Sequence, residues 1–249
     1  MTECFLNSMA NILAVIPARG GSKAIPRKNI VDVAGRPLIA HTIEAVLKSN
    51  LVTEHLVSTD SQEIADISRK LGAHVPFVRP KHLAEDQASS VDVVIHALGE
   101  MESRCGKEYD VIILLQPTTP MRSVGTIDRA INQLLSSDAE SVVSVVSVGA
   151  VHPYRMYSIS ENNCLVPYVS DVEDPMMPRQ ELPPVYIRSG DIYAVRRSCL
   201  LDKHSLIGDY SKALVLNPEE TINIDNFDDL TVARLRLGAS VNELLTQNG

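Results

Sequence analysis

Short apolar runs alternate along the chain with stretches whose apolar residues return every third or fourth position. The runs Ile12–Ala18, His55–Ser58, Val111–Gln116 and Ser141–Val148 predict strands. Three of them are almost continuously apolar, the pattern of strands covered by helices on both faces. Leu38, Ile39, Thr42, Ile43, Val46 and Leu47 mark an intervening helix with one buried stripe. Val91, Val94, Ile95, Leu98 and Met101 mark a second, and Ile127, Ala130, Ile131, Leu134 and Leu135 a third. The alternation predicts an α/β fold of repeated strand–helix units on a mostly parallel sheet with helices on both faces.

After Gly149 the texture changes. Tyr, Met and Pro are frequent through residues 151–185 and helical periodicity fades, so this segment is expected to leave the sheet as a small inserted subdomain. Its apolar residues would be exposed in a monomer, which points to a subunit contact. The chain then returns through predicted strands Gly190–Val195 and Ala213–Leu216. It closes with a helix over Phe227–Leu237, in which Phe227, Leu230, Ala233 and Leu237 share a face. One domain over 11–249 with the excursion 151–185 is the expected organisation.

Composition narrows the function classes. The chain has 249 residues, 45% of them hydrophobic, enough for one large core. Against 23 Lys and Arg stand 31 Asp and Glu, a net charge of −8, so no broad attraction for nucleic acid or an anionic membrane is expected. Any anionic ligand must be held by a local cluster. Cys4, Cys105, Cys164 and Cys199 lie far apart without a CxxC spacing, which fits neither a disulfide framework nor a zinc site. The opening Met1–Ala10 is a poor signal peptide and no run reaches the length of a membrane span, so a cytoplasmic location is expected.

A local cationic cluster follows the first predicted strand, in Pro17-Ala18-Arg19-Gly20-Gly21-Ser22-Lys23-Ala24-Ile25-Pro26-Arg27-Lys28-Asn29. Open α/β sheets bind ligands in such loops, at the carboxyl ends of their strands. Gly20 and Gly21 let the backbone approach a ligand, and Arg19, Lys23, Arg27 and Lys28 supply positive charge suited to a triphosphate. Neither the G-x-x-x-x-G-K-[ST] phosphate loop nor the G-x-G-x-x-G dinucleotide fingerprint is present.

The whole string resembles the amino-terminal signature of the acylneuraminate cytidylyltransferases, or CMP-sialic acid synthetases, P-A-R-G-G-S-K-G-[IL]-P-x-K-N, from which only Ala24 departs. The related 3-deoxy-manno-octulosonate enzymes carry a loop closer to P-A-R-x-x-S-x-R-[LF]-P-x-K, so Lys23 and Asn29 favour the sialic acid branch, which includes legionaminic and pseudaminic acid members. The resemblance continues through Ser58-Thr59-Asp60, Arg79-Pro80 with Asp86 to Ser90, and Gln116-Pro117-Thr118-Thr119-Pro120-Met121-Arg122. It then takes in Pro178 to Pro183, Ser189-Gly190-Asp191-Ile192-Tyr193 and Ile222-Asn223-Ile224-Asp225.

This resemblance implies a Rossmann-like fold and a homodimer into whose partner subunit residues 151–185 cross. It also implies a reaction in which the anomeric hydroxyl of a nine-carbon 2-keto sugar acid attacks the α-phosphorus of CTP. Pyrophosphate leaves, with Mg²⁺ assisting. Phosphoryl transfer rests on positioning and charge neutralisation, so Arg19, Ser22, Lys23 and Lys28 are assigned to the phosphates, and Arg19 or Lys23 to the departing pyrophosphate. Gly20, Gly21, Asn29, Arg79 and Ser90 complete the implied nucleotide site.

For the sugar the resemblance points to Gln116, Arg155, Ser189 and Tyr193, while Arg179 and Arg188 each offer a guanidinium for the carboxylate. Asp225 is the implied magnesium ligand, with Asn223 beside it where some relatives have a second Asp; at period two both would face the same side of a strand. Asp60 is a lesser metal candidate, or a cap for a helix starting near Ser61. The usual N-G-A of the family is Ser189-Gly190-Asp191 here, a charge that either reports a different sugar or pairs with Arg188. Rival readings are a GTP-using or 3-deoxy-manno-octulosonate nucleotidyltransferase, a non-catalytic nucleotide sensor, and a structural partner protein on the same fold.

Overall fold

The computed structural model describes residues 10–170, 174 and 176–238. Strand β1 (Ile12–Pro17) leads through the cationic loop to a two-strand ribbon, β2 (Asp32–Val33) and β3 (Arg36–Pro37). Helix α1 (Leu38–Leu47), β4 (Glu54–Ser58), α2 (Gln62–Lys70), α3 (Ser90–Cys105), β5 (Val111–Leu114), α4 (Val124–Leu135) and β6 (Ser141–Ser147) follow. The excursion carries a small hairpin, β7 (Tyr157–Ile159) and β8 (Leu165–Pro167). The chain returns as β9 (Tyr186–Arg196), α5 (Arg197–Asp202), β10 (Ser211–Val215) and α6 (Phe227–Gly238).

Six strands form one sheet in the order β10-β6-β9-β5-β1-β4. Every pairing is parallel except those of β9, which runs antiparallel to both β5 and β6. The period of two sorts β1 between two layers: Ile12, Ala14 and Ile16 pack with α1, α2 and α4, whereas Leu13 and Val15 pack with α3 and α5. A third cluster, of Ile25, Val33, Leu38, Ile224, Leu230 and Ala233, ties the cationic loop to α6. The loop is therefore seated on packed apolar residues.

Helix starts follow their capping residues. Ser61, Ser89 and Ser123 accept hydrogen bonds from the amides of Ile64, Asp92 and Thr126, each cap contributing about 1 kcal/mol. At α6, Asn226 and Asp229 cap reciprocally, Asp229 Oδ2 accepting from the Asn226 amide and Asn226 Oδ1 from the Asp229 amide.

Several expectations change. Leu47, Leu135 and Phe227 are exposed, because each sits at a helix end beyond the reach of the core. Helix α2, expected only as a start near Ser61, buries Ile64, Ala65 and Ser68 along one face, and α5, six residues long, is too short to show a periodic signal. Strand β9 begins at Tyr186, four residues before the expected start, and its exposed first three residues lack a burial pattern. The closing residues of the expected domain, 239–249, and Cys4 lie outside the described residues.

Candidate active site

The cationic loop leaves the carboxyl end of β1 and is closed by its own backbone. Asn29, buried, donates its Nδ2 hydrogen to the Arg19 carbonyl at 2.9 Å. Gly20 donates its amide to Asp60 Oδ1 at 2.9 Å, and a Cβ on Gly20 would stand 3.0 Å from Ser61 Cβ, so the close approach requires glycine. Gly21 has open space around it. Asp60 thus anchors the loop and does not cap α2; that cap is Ser61.

A cleft of about 300 Å³ opens beside this loop. Arg19, Gly21, Ser22, Lys28 and Asn29 line one side, and Arg79, Ser90 and Gln116 the other. Lys23 lines a shallower adjoining depression with Arg19 and Asp86. There Asp86 holds both cations, at 2.8 Å from Arg19 and 2.5 Å from Lys23, and hydrogen bonds from Lys23 and then Arg19 lower its carboxyl pKa. Arg79 is buried; its guanidinium donates to the carbonyls of Leu83, at 3.2 Å, and of Ser58. Burial depresses its pKa to about 10, opposed by the nearby Asp60.

A second cleft of about 260 Å³ contains Ser90 and Gln116 as well, and so adjoins the first along those two residues. Arg188 and Tyr193 of β9 line it, together with Leu206 and Ile207, which the sequence reading did not single out. The Ser205 hydroxyl donates to the Ile207 carbonyl at 2.7 Å and accepts from the Ile207 amide at 3.1 Å, shaping that turn. Such a turn lies far from every motif in sequence and carries no periodic signal.

The remaining implied sugar residues stand elsewhere. Ser189 points into the sheet, where β9 bulges opposite Ser144: the Ser144 hydroxyl accepts from Ser189 Oγ and the Ile192 amide, each at 2.8 Å, and donates to the Ile192 carbonyl. Arg155 is exposed in the excursion and donates to the Met177 carbonyl at 3.0 Å. Arg179 lies over the turn at Gly149. Neither arginine lines the clefts of this chain.

Lys28 links the loop to the opposite wall, donating to the Ile224 carbonyl at 2.9 Å with its Nζ 3.6 Å from Asp225 Oδ1. Residues 221–225 form an extended segment outside any strand, pinned where Ile224 donates its amide to the Thr118 carbonyl at 2.8 Å. Asn223 and Asp225 still face the same way, Asn223 Nδ2 lying 2.7 Å from Asp225 Oδ2. With the amide turned over, Asn223 Oδ1 and Asp225 would present two oxygens side by side, a donor set that fits Mg²⁺ once phosphate oxygens and water complete it. Among the described residues no cluster of three or more His, Cys, Asp or Glu offers a fuller metal site.

Behind these walls lie two buried residues of opposite charge, Arg122 and Asp191, joined by a hydrogen bond from Arg122 Nε to the Asp191 carbonyl. Asp191 is 1% exposed and Arg122 5%. Burial raises the Asp191 pKa, opposed by the charge of Arg122, and depresses that of Arg122 to about 10. Asp191 therefore lies in the field of Arg122, which donates to its main-chain carbonyl, while its carboxylate accepts from Thr221; it makes no ion pair with Arg188 and turns away from the clefts.

An open α/β sheet with a cationic, glycine-bearing loop at the end of β1 and two adjoining clefts defines a nucleotide-using α/β enzyme. The comparisons make the class specific. Residues 13–202 match the Cytidylyltransferase family, and the chain belongs to it. It is 38% identical over 216 residues to the CMP-N,N'-diacetyllegionaminic acid synthase of Legionella pneumophila, covering 86% of this chain and 90% of that one. It is 33% identical over 224 residues to the pseudaminic acid cytidylyltransferase of Campylobacter jejuni, covering 90% and 94%. The solved structure of a CMP:2-keto-3-deoxy-manno-octonic acid synthetase complexed with CTP superposes with a TM-score of 0.66 at 19% identity, covering 96% of this chain and 100% of that one. It shares the fold. The mostly parallel Rossmann-like architecture and the nucleotidyltransferase class expected from the sequence both hold.

Proposed function

We propose that this cytidylyltransferase activates a nine-carbon 2-keto sugar acid of the legionaminic, pseudaminic or sialic acid type with CTP, giving the CMP-sugar and pyrophosphate. The observation that carries this is the junction of the two clefts at Ser90 and Gln116, one rimmed by the cationic loop and the other by Arg188. The similarity to synthases named for diacetyllegionaminic and pseudaminic acid supports the substrate class.

In this reading the loop of Arg19, Ser22, Lys23 and Lys28 receives the phosphate tail. Gly21 lines the same cleft. Arg188 pairs with the sugar carboxylate, Gln116 orients the sugar at the junction, and Tyr193 packs beside it. The sugar's anomeric hydroxyl gives up its proton to solvent water and its oxygen bonds to the α-phosphorus, as the bond from the α-phosphorus to the bridging oxygen breaks and that oxygen leaves with pyrophosphate. Arg19 and Lys23 hold the negative charge that moves onto pyrophosphate. Asp225, with Asn223, would hold Mg²⁺, which when bound supplies further charge neutralisation.

The excursion supports a homodimer: Ile159, Leu165 and Tyr168 are each about 70% exposed on or beside the β7–β8 hairpin. Sedimentation showing only monomer at working concentration would remove that part. CTP as the co-substrate supports a cytoplasmic location. The test of function is pyrophosphate release from CTP and from GTP with diacetyllegionaminic, pseudaminic and N-acetylneuraminic acids. Turnover with CTP and one of these acids is expected; none with any keto acid overturns the reading.

A further inference from the structure

Two buried residues, Arg122 and Asp191, join two walls that the reaction needs in register. Arg122 donates Nε to the Asp191 carbonyl at 2.6 Å and Nη2 to the Gln116 carbonyl at 2.8 Å, with further bonds to the hydroxyls of Thr119 and Thr42. It thereby fixes the turn that carries Gln116. On the other side Asp191 Oδ2 accepts from the Thr221 hydroxyl. Thr221 is itself buried, and Arg236 holds its carbonyl at 3.1 Å. Asn223 and Asp225 follow two and four residues later in the same extended segment.

We propose that Asp191 is a positioning residue which, through Thr221, holds the Asn223–Asp225 segment in register with Gln116 and so sets the affinity of the site for its divalent cation. The inference rests on the reading of Asn223 and Asp225 as metal ligands. An alanine in place of Asp191 would remove the negative charge that offsets the buried Arg122 charge and leave the Thr221 hydroxyl without its acceptor. Asp191 lies one residue beyond Gly190, so the same strand segment that forms the floor under Gln116 also carries this tether. Partners that orient metal ligands from behind change metal affinity without touching the ion.

The test compares Thr221→Val, Thr221→Ser and Asp191→Ala with the wild type. Two readouts are used: the Mg²⁺ concentration giving half-maximal turnover, and Mn²⁺ binding in the presence of CTP followed by electron paramagnetic resonance. Thr221→Val keeps the shape of the side chain and leaves Arg122 and Asp191 in place, so it perturbs the tether less than Asp191→Ala, and circular dichroism checks the fold of each variant. Thr221→Val is expected to weaken both readouts about 10-fold, the size of effect seen when a ligand's supporting partner is lost. The KM for the keto acid at saturating metal should stay near that of the wild type. Thr221→Ser retains the hydroxyl and restores both readouts. A folded Thr221→Val protein with unchanged Mn²⁺ binding overturns the inference, as does a Thr221→Ser protein that behaves like Thr221→Val. Those results leave the enzyme reading standing, whereas a wild type that turns over no keto acid removes the enzyme reading and leaves the Mn²⁺ measurement to judge the tether.

Discussion

Replacing Gly190 with alanine tests the junction of the two clefts directly. Gly190 has φ +82°, a conformation that a residue with a Cβ rarely adopts, and the added Cβ would stand 3.0 Å from Gln116 Oε1. The backbone strain alone is about 1–2 kcal/mol. For a chain of this size that lowers the midpoint of thermal unfolding by roughly 2–8 °C, taking about 2–4 °C per kcal/mol. The second effect is local: Gln116 must swing aside to admit the methyl group. Losing one hydrogen bond to an anionic substrate removes about 1.5–3 kcal/mol, which corresponds to roughly 10- to 150-fold in kcat/KM for the keto acid. The KM for CTP should change less than that for the keto acid, because the cationic loop does not touch Gly190 and only Gln116 links that residue to the nucleotide cleft. Steady-state kinetics with each substrate varied, beside calorimetry of the same protein, separates the two effects. A Gly190→Ala enzyme with wild-type kcat/KM for the keto acid would refute the placement of Gln116 at the sugar. Gly99 provides the contrast: it lies exposed in α3 with nothing within 4 Å of an added Cβ, so Gly99→Ala should raise stability by about 0.5–1 kcal/mol, and a loss would refute the helix placement.

Lys28→Ala removes the cation that bridges the loop and Asp225, and should lower kcat about 100- to 1,000-fold with the fold intact by circular dichroism; an unchanged kcat would exclude Lys28 from the chemistry. Asp86→Asn frees Arg19 and Lys23 from the carboxylate that holds them, so the KM for CTP should fall, and a rise would show instead that Asp86 helps to hold the nucleotide. Burial lowers the pKa of His41 and of His55 below 6.5, so the unfolded chain binds more protons than the folded one as pH falls through 6.5. Stability is therefore full above that pH and declines below it, down to the folded pKa values; a thermal midpoint that stays flat from about pH 7.5 to pH 5.5 would contradict this.

Local patterns were enough to read most of the scaffold. The apolar run at Ile12–Ala18 and the stripe from Leu38 to Leu47 write their structure in periods of two and 3.6, because each element buries a continuous face. The cationic loop was legible for a similar reason: its glycines and charges lie together in the chain. Residues 151–185 announced a departure from the sheet through lost periodicity alone, while the hairpin within them stayed unread because all six of its residues are exposed.

What the sequence could not determine is how distant segments meet. Asp191 looks like a charge beside Arg188 in the chain, yet a bulge opposite Ser144 turns it inward to Arg122, some seventy residues earlier. The same bulge turns Ser189 away from the sugar cleft, and a turn at Leu206 and Ile207 fills a wall that no motif marks. Side-chain direction in an irregular strand depends on which neighbours compete for its hydrogen bonds and its volume, and those neighbours are chosen only when the sheet assembles. The amino-acid order fixed the elements and the charged loop; tertiary packing decided which side chains share a cleft and which are buried behind it.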